Sequence, residues 1–247
     1  MPSPRVAIVA GLAGFLLALI ATWPLRWALA VAPDGVECAV PAGSLWRGQC
    51  AALRVGNQLF GSVRWDIHAL QLLRGRFGGD VSVEQPGIVA RGVAYAGATG
   101  ALTLLDVKAD LQLGLGSVER LAPQLRGAVT LDLGRVLLRD GWVRDLAGTV
   151  SANGLRQLAP QPMDLGSFLI TFDAPPAADG RVVGRLQDRG GPLDVQGTLA
   201  LLADPGYELT GSVAARPDAP PQIAEQIRFL GSPDASGRRA FSQSETF

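Results

Sequence analysis

The sequence predicts a mainly β chain: a single N-terminal transmembrane helix followed by a curved, mostly antiparallel β-sheet domain with few short helices. Three observations lead there. An uncharged, apolar run of twenty residues, Val6 to Leu25, opens the chain. From Val36 onward apolar and polar residues alternate with period 2, the mark of strands with one wet face. Glycines recur at strand starts and interruptions, among them Gly61, Gly100, Gly127, Gly148, Gly197 and Gly211, as tight turns and bent sheets require.

At 1.5 Å per residue the first run spans about 30 Å, the thickness of a bilayer core. Trp23 and Trp27 stand at its C-terminal end, where indoles favour the membrane interface, and Arg5 precedes it. The expected layout is a cytoplasmic tail over 1–5 and an anchor over 6–26. A cleaved signal peptide competes, because Ala28-Leu29-Ala30 reads as a cleavage site. The run is longer than an ordinary signal core, however, and two tryptophans and Arg26 stand before that site.

Cys38 and Cys50 come next. An even cysteine count outside the cytosol suggests a disulfide. The turn-rich Pro41-Ala42-Gly43-Ser44 between them lets antiparallel strands bring the two together. Two reduced, buried cysteines are the other reading. Two thiolates without a neighbouring histidine or second cysteine pair make half a zinc site at best.

The β-rich domain is expected over 36–231, in two halves, 36–152 and 164–231. Leu105 to Leu113 alternates, with odd positions apolar and Asp106, Lys108 and Asp110 on the wet face. Val129, Leu131 and Leu133 share a face, and the phase flips after Gly134 so that Val136 and Leu138 continue the row. A glycine at a phase flip predicts a bulge. Alternation on one face argues for antiparallel pairing. Ser151 to Asp164, with Asn-Gly and two prolines, is the expected boundary between halves. Pro220-Pro221, then Ile223, Ile227 and Leu230, then Gly231, predict a short amphipathic helix. Short turns are expected near 68–74 and 117–125. The polar stretch 232–247 is expected as a flexible tail.

Composition excludes several classes. The chain of 247 residues is 48% hydrophobic and carries 22 basic and 22 acidic residues, so no basic face points to nucleic acid. There is no P-loop, no G-x-G-x-x-G after a strand, no His-Glu-x-x-His and no Gly-x-Ser-x-Gly elbow. The single histidine, His68, sits at an expected strand end and reads as a turn residue. Asp106 and Asp110 flank Lys108 and read as a solvated face rather than an acid–base pair. Gly190-Gly191 before Pro192 is a turn, and Trp46 and Trp65 are packing residues. No catalytic, cofactor-binding or metal-ligating residue is therefore expected, and no cofactor.

Several short segments, in order, resemble the type II secretion system protein N family, also called general secretion pathway protein N. They are Trp23-Pro24, Gly43-Ser44-Leu45-Trp46-Arg47-Gly48, Val63-Arg64-Trp65-Asp66-Ile67 and Leu72-Leu73-Arg74-Gly75. Later come Asp188-Arg189-Gly190-Gly191-Pro192-Leu193, Gly197-Thr198-Leu199, and Leu230-Gly231-Ser232-Pro233-Asp234 with Gly237-Arg238-Arg239. One departure is Glu245, where the family pattern has glycine. The resemblance implies a non-catalytic, single-pass inner-membrane protein with its C-terminal domain in the periplasm. It would assist a machine that moves folded proteins across the outer membrane. Implied partners are other inner-membrane subunits of that machine and the secretin. The alternating strands, for their part, suggest that short exposed edges bind such partners by strand addition. The rival reading is a membrane-anchored, lipid-binding or lipid-transfer β-groove protein of the AsmA-like kind. An open trough lined by Leu and Val would favour lipid; a closed core of large side chains would oppose it.

Overall fold

A computed structural model describes residues 22–30, 35–72, 75–97, 100–115, 118, 123–159 and 161–247. The expected cytoplasmic tail and residues 6–21 of the expected anchor lie outside these residues, as does most of 117–122. Among the described residues no helix is long and apolar enough to cross a membrane. The fold is mainly β, with fourteen strands and few helices among the described residues, and every described strand pairing is antiparallel.

Two compact units divide between Glu84 and Gln85. The first holds helix α1 (Leu25–Ala30), β1 (Val36–Ala39), β2 (Ala42–Gly43), β3 (Arg47–Val55), β4 (Gln58–Ile67), the helical turn α2 (Ala69–Leu72) and β5 (Arg76–Gln85). Its ladder runs β1-β3-β4-β5, with β2 also against β3. Gly56, at φ +57°, opens the two-residue turn between Val55 and Gln58 that sets the β3–β4 register. Cys38 on β1 and Cys50 on β3 are joined by a disulfide with Cα atoms 5.5 Å apart. Leu53, not Cys50, lies opposite Cys38 in the ladder, so the bond runs diagonally across the two strands.

The second unit is a meander: β6 (Ile88–Gly97), β7 (Leu102–Leu113), β8 (Leu125–Arg139), β9 (Trp142–Gln157), β10 (Met163–Phe172), β11 (Val182–Asp188), β12 (Leu193–Leu201), β13 (Gly206–Ala215) and β14 (Arg239–Thr246). Each strand pairs with its neighbour in sequence. Helix α3 (Pro221–Ile227) and a 3₁₀ turn (Arg228–Leu230) separate β13 from β14. Pro221 opens the helix, and Gly231, at φ +108°, ends the turn. One inner cluster gathers Leu133, Val136, Leu146, Phe172 and Val182; a second gathers Leu186, Val195 and Val213, with Ile227 and Phe241 packed on it. Val182, Gly184 and Leu186 alternate with exposed Val183, Arg185 and Gln187 on β11, so one strand face serves both clusters. Ile223 of α3 is 1% exposed.

The phase flip at Gly134 is present as a register shift between β8 and β9, between Leu133 and Arg135. Its partner strand differs from the expected pattern. The inner cluster takes Leu104 and Val107, three residues apart, whereas Leu105 lies opposite Arg135. The row changes phase at Asp106, whose φ is +51°. Asp tolerates that conformation better than most residues, which is why nothing in the alternation announces it.

Within the expected boundary stretch, 151–164, β9 runs through Gln157, and Asn153-Gly154 forms an irregularity within it rather than a hairpin turn. The left-handed conformation that suits Gly154 (φ +57°) serves a bulge as well as a turn. The expected flexible tail, 232–247, contains β14, paired over eight residues with β13. Phe241 is its one large apolar residue, so backbone pairing rather than alternation makes the strand.

Candidate interaction surface

The segments singled out in the sequence build two polar clasps, one in each unit. In the first, Ser44 to Gly48 forms a turn: the Ser44 N–H donates to the Arg47 carbonyl at 2.9 Å, and the Arg47 N–H donates to the Ser44 hydroxyl at 3.1 Å. The Leu45 carbonyl accepts from the Trp65 indole at 2.9 Å. Arg47 pairs with Asp66 on β4 at 2.7 Å. Gly48 lies under the Trp65 ring, where an added Cβ would stand 2.5 Å from a ring carbon. Trp65 is thus a packing residue, held by its indole N–H and by close contact with Gly48. The Leu45 N–H donates to the Trp23 carbonyl at 2.9 Å, which ties the C-terminal end of the expected anchor to this turn.

In the second unit Asp188 ends β11. Its carboxylate accepts from the backbone N–H groups of Gly190 and Val195, both at 3.3 Å, and from the Arg216 guanidinium. Burial pushes this carboxyl up, but the two backbone donors and the Arg216 bond and charge outweigh it and hold the pKa below the ordinary carboxylate value. Gly190-Gly191 is therefore a hairpin turn fastened by Asp188. Arg238, beyond α3, donates to Asp194 Oδ2 at 2.7 Å and to the Ser212 hydroxyl at 2.9 Å. The Asp234 carboxylate accepts from the Ser236 hydroxyl and from the backbone N–H groups of Ser236 and Arg238, and these bonds hold its pKa down.

The other singled-out residues stay apart. His68 Nε2 lies 2.8 Å from Asp80 Oδ2 in an exposed pair at the end of β4. Lys108 pairs with Asp132 at 3.2 Å, and Asp110 accepts from Thr130, so the Asp106–Asp110 stretch is a wet face laced to β8. Among the described residues no group of three His, Cys, Asp or Glu side chains is arranged to hold a metal. What the fold leaves open is edge and apolar tip. Among the described residues β1 and β14 each have a ladder partner on one side, and Phe229 on the 3₁₀ turn is 91% exposed. Arg216 and Trp142 were not singled out by the sequence, because their partners lie 28 and 60 residues away along the chain.

Residues 34–242 match the model of the family described as type II secretion system (T2SS), protein N. The chain belongs to that family. Protein N of Aeromonas hydrophila, named type II secretion system protein N, is 27% identical over 238 residues, covering 94% of this chain and 92% of its own. The protein of that name from Vibrio cholerae serotype O1 is 24% identical over 229 residues, covering 85% of each. No solved structure matches the chain. Of the segments by which the sequence resembles protein N, Gly43 to Gly48, Val63 to Ile67, Asp188 to Leu193, and Asp234 and Arg238 of Leu230 to Asp234 with Gly237 to Arg239 contribute to the two clasps. Within each unit they fasten turns and strand ends of the sheet.

Proposed function

We propose that this protein is a non-catalytic subunit of a type II secretion system that assists export of folded proteins across the outer membrane through protein–protein contacts. Residues 6–26 anchor it in the inner membrane as a single span, and the β-rich domain lies in the periplasm. The carrying observation is the family match over 34–242. Its partners are other inner-membrane subunits of the system and the secretin. The β1 edge suits strand addition by such a partner: the Cys38–Cys50 bond secures the strand to β3, so an added strand meets a fixed template.

A non-catalytic role fits the chemistry present. His68–Asp80 and Arg47–Asp66 are exposed pairs at strand ends, and the less exposed pairs Asp188–Arg216 and Asp194–Arg238 fasten turns of the sheet. The lipid-handling rival has less support. The inner face from β9 to β14 is filled by the protein's own Phe172, Val182, Leu186, Val213 and Ile223.

Photoreactive residues placed singly at Glu37 and Ala39, and at inward-facing Leu104 and Leu131, test this in the native cell envelope. Capture of secretion subunits from the β1 positions is expected. Capture of lipid from Leu104 or Leu131, with no secretion subunit from any site, would overturn the reading in favour of the lipid-handling class.

A further inference from the structure

β14 pairs with β13 over eight consecutive residues without a register shift, from Gly206 opposite Thr246 to Val213 opposite Arg239. Its other edge has no ladder partner among the described residues. One hydrogen bond fixes which groups face that edge. The Phe247 N–H donates to the Pro205 carbonyl at 3.0 Å, in the same register. Hydrogen bonding alternates along an antiparallel pair. Glu245, Gln243, Phe241 and Arg239 therefore bond to β13, and Ala240, Ser242 and Ser244 aim their N–H and C=O groups away from the sheet.

Edge strands ordinarily carry a lysine, a proline or a bulge that discourages pairing. Residues 239–246 carry none of these, and Ala240 and Ser242 to Thr246 are exposed. The question is what strand fits. Only a register that sets outward-aimed residues against outward-aimed residues completes a ladder. Laid antiparallel on itself about Ser242, β14 does so: Ser242 faces Ser242, and Ala240 faces Ser244 on both sides. The same register sets Arg239 opposite Glu245 twice, at non-hydrogen-bonded positions where side chains come closest. Shifting by two residues either way keeps the hydrogen-bond phase but separates Arg239 from Glu245. The Arg239 guanidinium already donates to the Gly231 carbonyl, and its fork of five N–H donors leaves capacity for a carboxylate.

We infer that the free edge of β14 is a self-complementary interface at which two copies of this chain pair antiparallel about Ser242. Charge complementarity selects a second copy over an unrelated strand. The pairing is two-fold and isologous, so it closes at a dimer and does not propagate into a filament.

The test uses the full chain in detergent or native membrane. The described cysteines are disulfide-bonded, so a Ser242→Cys substitution adds the one free thiol among the described residues. Mild oxidation is expected to give a covalent homodimer. Adding Glu245→Arg to the Ser242→Cys chain should lower the yield about tenfold, since each Arg would face an Arg. Adding Arg239→Glu as well should restore it, which shows that the loss was not misfolding. Three results would overturn the inference. They are no homodimer from Ser242→Cys, a yield indifferent to Glu245→Arg, or a crosslink to another protein in place of a second copy.

Discussion

Asp188 shows how a single carboxylate fastens a hairpin to the next strand. Its folded pKa is depressed, so the stability it contributes is present above the unfolded carboxylate value of about 3.9 and is lost as pH falls through the lower folded value. Replacing Asp188 by Asn is expected to lower stability at pH 7 by roughly 1.5–3 kcal/mol, the range for hydrogen bonds to a charged group. Urea unfolding at pH 7 and pH 3 checks this. The gap between variant and parent should narrow at pH 3, which lies below the unfolded carboxylate value, so that unfolding takes up a proton. An equal gap at both pH values would mean that shape rather than charge is at work. The segment around Asp188 is visible in the sequence as a turn, with Gly190-Gly191-Pro192. What the carboxylate does is not visible, because Arg216 and the Val195 N–H arrive only when β12 and β13 fold back.

Single strands differ in how openly they are written. β7 and β8 are legible because their apolar residues repeat every second position, and Gly134 marks its own bulge. The matching shift in β7 is hidden, because an aspartate at φ +51° looks like any wet-face residue. β14 is hidden for another reason: Ser, Gln, Glu and Thr form its body, and only Phe241 reaches the inner cluster. β1 is the opposite case, four residues long and held by a covalent bond to β3. Closing a loop of this size stabilises by about 3 kcal/mol on the chain-entropy model. Cys38→Ser, the less buried of the two sites, should lose about that amount in urea, and the parent in reductant should fall to the same midpoint. Identical midpoints for parent and variant without reductant would show that the bond contributes nothing. The diagonal placement of the bond was not readable from spacing, which gives proximity but not register.

At the scale of the molecule, the class was readable because antiparallel strands with one wet face repeat through the chain, and no composition change hides them. The division after Glu84 was not readable: the alternation continues across it, and Asn153-Gly154 and the nearby prolines offered a stronger punctuation elsewhere. Within the second unit a ladder of sequential neighbours behaves like a one-dimensional array, in which each element depends only on those beside it and the ends open first. Trp142 and Arg144 change that. The indole donates to the Leu202 carbonyl at 2.8 Å and the guanidinium to the Ala203 carbonyl at 2.5 Å, so the start of β9 is hitched to the β12–β13 turn. Phe247 packs beside the same indole, with ring centroids 6.0 Å apart. The path from β9 through β10 and β11 to β12 thereby becomes a circuit rather than a line. No strand inside it can swing away alone, and its four strands should share one rate of hydrogen exchange. Trp142→Phe keeps a ring and removes the donor; it should split that shared rate, with β12 exchanging faster than β9. A single rate in the variant would mean that the circuit closes without the indole bond.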